Sequence, residues 1–355
     1  MPELPEVETI RQDLRHKILN KKIVQVKVYK KTSVGGQSTK FIQALTGNSF
    51  RDIDRRGKLM IFRLKHGAQS LLVHLKMTGQ LIYRRLVAGS RLYGGDHRLV
   101  AGSRLYGGDE REKKGGVEIV AGGHKLSESD IECLPNKHTR IAFAFQDGGE
   151  LFFNDLRLFG YMKLATAQDV ERALKKFGPE PIETPPPARN ASRSDSGGSP
   201  SPLRRGGKSR PPSIAMEGAG GGFTFAYFSL LFKKRQNTNL KALLLNQELI
   251  AGLGNIYVDE VCFAAGVRPN RRVGAVTKLE QKKLFLAIPK ILRAALKHRG
   301  TTFRNFLDSS GKKGNYTDFL NVYDRDGEKC KKCEEIIKKI KIAGRGTHFC
   351  PRCQR

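Results

Sequence analysis

Met1-Pro2-Glu3-Leu4-Pro5-Glu6-Val7-Glu8 opens the chain and sets an imino acid beside a carboxylic acid. Removal of Met1 would expose the Pro2 nitrogen as a secondary amine. An α-amino group titrates near about 7.7–8.0, against about 10.4 for lysine, so more of it is an unprotonated nucleophile at neutral pH. Attack by such an amine on a sugar C1′ yields an iminium ion that acidifies the C2′ proton, and Glu3 stands one residue away to move protons. The Met-Pro dipeptide alone is an ordinary start whose prolines merely delay a helix; the specificity lies in the whole octapeptide. Val7, Ile10, Leu14 and Ile18 then recur at helical spacing, predicting a first helix with Pro2 and Glu3 at its front edge.

Outward from this helix the pattern turns to strands. Residues 22–29, 49–54, 59–64, 70–75, 80–83, 140–145 and 150–154 are rich in β-branched and aromatic side chains, with Gly-containing turns at 65–67, 79 and 147–149. Together they predict a β-sandwich. Residues 85–97 recur as 98–110 with one difference, a tandem duplication too short for a solenoid and expected to be an exposed insert without a catalytic part. Residues 184–222 change to Pro, Ser, Gly and Arg, with six Arg or Lys against two acids, which predicts a disordered linker. Beyond it the period is helical over 240–250, 255–265, 278–299 and 303–307. The expected fold class is therefore α+β: a sandwich domain with flanking helices (1–183), the linker, a helical domain (223–321) and a terminal module (322–355).

That module carries four of the six cysteines. Cys330-Lys331-Lys332-Cys333 and Cys350-Pro351-Arg352-Cys353 are separated by 16 residues, the C-x2-C, C-x2-C spacing of a tetrahedral Zn²⁺ site. In a reducing compartment two disulfides are the poorer account. One structural zinc ion is expected, with Cys133 and Cys262 left unliganded and Cys262 packed in a helix.

The chain has 355 residues, with 65 Lys and Arg against 34 Asp and Glu, and a formal net charge of +31. That field favours a polyanion, nucleic acid first and anionic membrane second. No apolar run is long enough to span a bilayer, and the acidic start does not resemble a secretory signal. A cytoplasmic protein without a membrane partner, associated with the nucleoid if bacterial, is expected.

The octapeptide resembles the opening of the formamidopyrimidine-DNA glycosylases, and other motifs follow in that family's order. Asp54-Arg55-Arg56-Gly57-Lys58 precedes an apolar strand, where a lysine is usually a boundary residue; the resemblance implies that Lys58 reaches the active site and moves protons. His74-Leu75-Lys76-Met77-Thr78-Gly79 ends a strand at a turn. Asp155-Leu156-Arg157-Leu158-Phe159-Gly160 is similar to the family's second wedge loop. Carried over, Met77, Arg157 and Phe159 fill the gap left by an extruded base, with Arg157 facing the orphaned cytosine. Leu156 and Leu158 depart from the proline and second arginine usual there, which puts one DNA contact in doubt. Asn136-Lys137-His138-Thr139 resembles a strand entry that makes His138 a DNA contact, and Glu6 and His74 are assigned to the same side.

The stretch 249–257 joins two helices through glycines and resembles the family's helix–two-turns–helix. The ordinary reading is a tight turn with Asn255 as N-cap; the same geometry offers free backbone amides to a phosphate, with Lys241 and Lys233-Lys234-Arg235 nearby. Arg345, between two glycines at the expected tip of a hairpin in the zinc module, is implied to meet the phosphate flanking the lesion and assist elimination. The loop 309–316 matches one that covers the flipped base. The resemblance implies a monomeric enzyme that excises 8-oxoguanine and formamidopyrimidines from damaged duplex DNA, then nicks the abasic site. An endonuclease VIII-like enzyme for oxidised pyrimidines, a non-catalytic zinc-containing damage-binding protein and an RNA-binding zinc-ribbon protein stay open, although Leu4 argues against the first.

Overall fold

The computed structural model describes residues 2–85, 118–120, 134–182, 222–301 and 316–355. The duplicated insert beyond Arg85, Cys133, nearly all of the linker, the helix expected at 303–307 and residues 309–315 lie outside the described residues.

Helix α1 (Leu4–Ile18) begins with prolines where an amide would have no helical partner anyway, and Val7, Ile10, Leu14 and Ile18 form its buried stripe. This stripe enters a core between two antiparallel sheets. The first has the order β1-β7-β8-β5-β6, built from β1 (Ile23–Val28), β5 (Gly79–Arg85), β6 (Glu118–Val120), β7 (Thr139–Phe145) and β8 (Gly149–Asp155). The second has the order β2-β3-β4-β9, from β2 (Phe50–Arg56), β3 (Leu59–Leu64), β4 (Ser70–His74) and β9 (Tyr161–Ala165). The expected sandwich is present. Strand β9 and the helices α2 (Ser38–Leu45) and α3 (Ala167–Leu174) are additions to the predicted elements. Helix α3 had a readable start, a capping box of Thr166 with Asp169.

A second core gathers α4 (Phe225–Lys234), α5 (Leu240–Leu245), α6 (Asn255–Ala265) and α7 (Lys278–Lys297). Leu4, from the very start of α1, belongs to this core and not to the sandwich core. Gly252, at φ +96°, lies so close to Leu4 that any Cβ would overlap its side chain. The N-terminus is thereby wedged between the domains.

The terminal module is a hairpin of β10 (Lys338–Ile342) and β11 (Arg345–Phe349), with Ile342 opposite Arg345. Ala343 and Gly344, at φ +48° and +74°, make the two-residue turn. Val322, Ile337, Cys330 and Cys350 form its small core, against which Phe263 of α6 packs.

Candidate active site and nucleic-acid interface

Pro2 and Glu3 are buried at the junction of the two domains. The amide of Glu3 donates to Glu6 Oε2 at 2.9 Å, the backward half of a capping box that fixes the first turn. Its carboxylate reaches the other domain, where Oε1 accepts the Ile256 amide at the N-terminus of α6 at 2.9 Å. Oε2 has no partner among the described residues.

Lys58 stands in the two-residue turn between β2 and β3, is 4% exposed, and donates from Nζ to the Leu253 carbonyl at 2.7 Å. The turn is held from behind by Arg55, which bonds Glu8 at 2.9 Å and Glu180 at 2.8 Å, while the Gly57 amide donates to Glu180. Burial works against the Glu8 charge, but Arg11 and Arg55 outweigh it and hold its carboxyl below the usual range.

Burial also dominates the titration of the central pair. It raises Glu3 to about 7 despite the opposing pull of Lys58, and Glu6 adds to the rise. It lowers Lys58 to about 8 against the attraction of Glu3, and the charge of Arg345 adds to the fall. An acid and a base whose affinities for a proton nearly match, both close to neutrality, can exchange protons with a bound substrate in either direction.

Glu6 is fully buried: its Oε1 accepts the Tyr257 hydroxyl at 2.5 Å and the Thr301 amide at 2.8 Å. It ties α1 to α6 and to the residue after Gly300, and its charge does not face solvent. Lys241 is likewise interior, with Nζ 2.7 Å from Asp259 Oδ1 and 3.1 Å from the Gly346 carbonyl. The expectation that Lys241 adds to a phosphate-binding surface therefore needs correction, because Asp259, one helix further along, neutralises it. Asn255 is the first residue of α6 and Gly254 its cap; the Asn255 amide group donates to the same Gly346 carbonyl at 3.1 Å. Of the amides expected to face a phosphate here, that of Ile256 is already occupied by Glu3. Lys241, Asn255 and Asp259, the last through the His348 amide at 2.9 Å, thus grip β11 just beyond Arg345. Arg345 itself is exposed at the start of that strand, directly after the turn.

Two of the three expected wedge residues, Met77 and Arg157, meet across their loops. Arg157 Nη1 lies 3.7 Å from Met77 Sδ, and Met77 and Phe159 are 40% and 60% exposed, high values for such apolar side chains. Asp155, not singled out from sequence, holds both loops: it accepts the Thr78 hydroxyl and the Arg157 and Gly160 amides, the last at 2.7 Å. Leu156 and Leu158, on either side of Arg157, are also exposed. His138 is half-buried, and its carbonyl accepts the Asp155 amide at 2.9 Å, which places it at the base of this loop. His74 accepts the Lys76 amide on Nδ1 at 3.0 Å; burial, with Lys76 and Lys58 nearby, pushes it down to about 3. These surroundings favour the neutral ring.

The sulfurs of Cys330, Cys333, Cys350 and Cys353 converge, with separations of 3.2 Å for Cys333 to Cys353, 3.4 Å for Cys333 to Cys350 and 3.9 Å for Cys330 to Cys353. Tetrahedral thiolates about 2.3 Å from zinc would sit about 3.8 Å apart, so the cluster fits one structural Zn²⁺ with little adjustment. Cys262 lies apart in α6, where burial pushes its thiol up.

Residues 1–162 match the formamidopyrimidine-DNA glycosylase N-terminal domain, 214–306 the H2TH domain of the same enzymes, and 327–355 the zinc finger found in FPG and IleRS. Over the full length of both chains, the sequence is 32% identical to a formamidopyrimidine-DNA glycosylase of Desulfitobacterium hafniense and 33% identical to one of Listeria monocytogenes. The structure is similar to Lactococcus lactis Fpg in complex with N7-benzyl-Fapy-dG DNA, with a TM-score of 0.69, 29% identity and complete coverage of both chains. The same enzyme bound to abasic-site DNA gives a TM-score of 0.69 with 28% identity and 99% coverage of each. With both domains and the zinc-finger module matched, and relatives 32–33% identical over their full length, the chain belongs to the formamidopyrimidine-DNA glycosylase family.

Proposed function

We propose that this protein is a base-excision repair enzyme that flips oxidised purines out of duplex DNA, cleaves their glycosidic bond and then cuts the strand as an abasic-site lyase. The observation that carries the reading is the buried Glu3 and Lys58 pair beside Pro2, bridged to the second domain through Ile256 and Leu253. Once Met1 is removed, the Pro2 nitrogen bonds C1′ as the bond to the base breaks and the base leaves with a proton from the Lys58 ammonium. Glu3 carries the amine's own proton to O4′, whose bond to C1′ breaks and opens the sugar. Loss of water's competition in the closed site favours the resulting iminium. Glu3 or Lys58 then takes the C2′ proton, and the electron pair expels the 3′ oxygen with its phosphate. A second proton loss, from C4′, expels the 5′ oxygen, with the Arg345 guanidinium facing the phosphate charge that develops. Met77, Arg157 and Phe159 hold the space vacated by the base. The zinc ion supplies no chemistry; it holds the hairpin that carries Arg345.

The Lactococcus lactis relative's complexes with N7-benzyl-Fapy-dG and Fapy-dG DNA favour purine-derived lesions as substrates, and its complex with abasic-site DNA favours the lyase step. The test is borohydride trapping on a duplex with one 8-oxoguanine, followed by mass spectrometry of the cross-linked peptide, beside a Pro2→Gly variant. DNA attached to Pro2, with Met1 absent, is the expected result. No adduct from processed, zinc-loaded protein that still binds the duplex would overturn the lyase and leave a damage-binding protein.

A further inference from the structure

Asp324, Asp326 and His348 meet outside the thiolate cluster, with one ligand atom of each within 4.8 Å of the others. His348, on β11, is 3% exposed, and neither ring nitrogen has a hydrogen-bond partner among the described residues. Buried polar groups in folded proteins are nearly always satisfied, so such a ring points to a missing ligand.

The two nitrogens face different carboxylates. Nδ1 is 3.5 Å from Asp259 Oδ2, and Nε2 is 3.3 Å from Asp326 Oδ1. Asp259 is fully buried and committed to Lys241 and the His348 amide, so it is placed to orient the ring from behind. That leaves Nε2 on the side of the outer carboxylates, 3.3 Å from Asp326, with Asp324 in the same cluster. A carboxylate behind a histidine whose other nitrogen faces further acidic oxygens is the arrangement that steadies metal-bound imidazoles.

We propose that His348 Nε2, Asp324 and Asp326 bind a second divalent cation of the Mn²⁺ and Zn²⁺ class, separate from the thiolate zinc. Imidazole nitrogen and carboxylate oxygen suit these ions, and the exposed outer side leaves the remaining positions to water. The opposing charge is Lys339, whose ammonium lies 3.2 Å from Asp326 Oδ1, yet that side chain is 48% exposed and free to swing into solvent. A bound ion would tie the strand that begins at Arg345 to the loop holding Asp324 and Asp326.

Full-length, zinc-loaded protein without DNA is titrated with MnCl2, and free Mn²⁺ is followed by electron paramagnetic resonance. One Mn²⁺ per chain is expected to bind, with the thiolate zinc retained. Asp324→Asn and Asp326→Asn alter exposed side chains and leave the fold intact; each should weaken binding by about tenfold or more. Lys339→Ala should tighten it by up to about fivefold, the weight of one exposed ion pair. In parallel, dialysis against Zn²⁺ should leave two ions per chain in the wild type and one in the double aspartate variant. If the cluster only shares a proton among His348 and its acids, neither Mn²⁺ nor a second Zn²⁺ will bind to the wild type or to Lys339→Ala, and the proposal fails. Saturable binding that survives in the double variant overturns it equally.

Discussion

Gly254 and Glu3 compete for one volume: a Cβ at position 254 would lie within the contact radius of the Glu3 carboxylate. The cap of α6 is therefore shaped around an acid 251 positions earlier in the chain, and no rotamer of a larger residue relieves the overlap. Gly254→Ala should displace the carboxylate and lower single-turnover base excision by about a hundredfold, the effect of a misplacement near 1 Å. Excision at the wild-type rate would show that Gly254 does not set the position of Glu3.

The rate should be bell-shaped in pH. A carboxylate at position 3 forms as pH passes about 7, and an ammonium at position 58 is lost near about 8. If Glu3 acts ionised and Lys58 protonated, kcat/KM is greatest between these values and falls on both sides. In Glu3→Gln the acid limb should vanish. The alkaline limb should move to lower pH, because the Glu3 charge is what raises Lys58. A profile identical to the wild type would remove Glu3 from the proton traffic.

Stability should run opposite to activity at this residue. The folded-state affinity of Glu3 for a proton is raised, so between pH 4.5 and about 7 the native protein keeps a proton that the unfolded chain releases. Stability is thus lost as pH rises through that window, and the penalty is complete above it. Glu3→Gln should be more stable than the wild type above pH 7 by on the order of 1–3 kcal/mol, the lower end reflecting the partner that Lys58 loses. Below pH 4.5 the gain should disappear. Urea denaturation at the two pH values measures both.

At the two loops, Phe159→Ala and Met77→Ala should slow excision from duplex DNA while changing the melting temperature little, since Phe159 is 60% and Met77 40% exposed. Leu158→Arg adds a cation beside Arg157. Each phosphate neutralised steepens the plot of log affinity against log salt by about 0.9, so this variant should gain about that slope if position 158 faces the backbone. An unchanged slope would place Leu158 away from phosphate.

Removal of zinc should release the hairpin and little else. A structural thiolate site contributes about 10–16 kcal/mol of binding free energy in small zinc modules, more than the small core around Val322 and Ile337 can replace. Chelation should abolish duplex binding while the sandwich domain keeps its far-ultraviolet circular dichroism and its own thermal transition. Loss of that transition together with zinc would mean that the module stabilises the whole chain.

Much of this was readable in residue order. The opening octapeptide, the stripe of α1 and the cysteine spacing are local patterns, and local patterns survive in a sequence. What escaped depends on distance along the chain. The Lys58 contact to Leu253 spans 195 positions, and nothing at either end advertises the other. Lys241 read as a surface cation because its neighbours are basic; its charge is cancelled by Asp259, a residue that sequence gives no reason to single out. Asp155 heads a motif that was recognised, but its role as the clasp of both wedge loops depends on Thr78, 77 positions away. Strand β9 follows the wedge loop at once, and the alternation of Tyr161 to Ala165 is too short to announce itself beside that motif.

Glu3 and Lys58 both belong to the first domain, yet both are held by one short stretch of the second, through Ile256 at the start of α6 and Leu253 just before it. Competence is therefore a property of assembly that neither half owns. Made as separate polypeptides divided within 184–222, each half would be inert, and the mixture would regain activity in proportion to how well the halves find each other. The protein contains the parts of a complementation reporter, with strand cleavage as its signal.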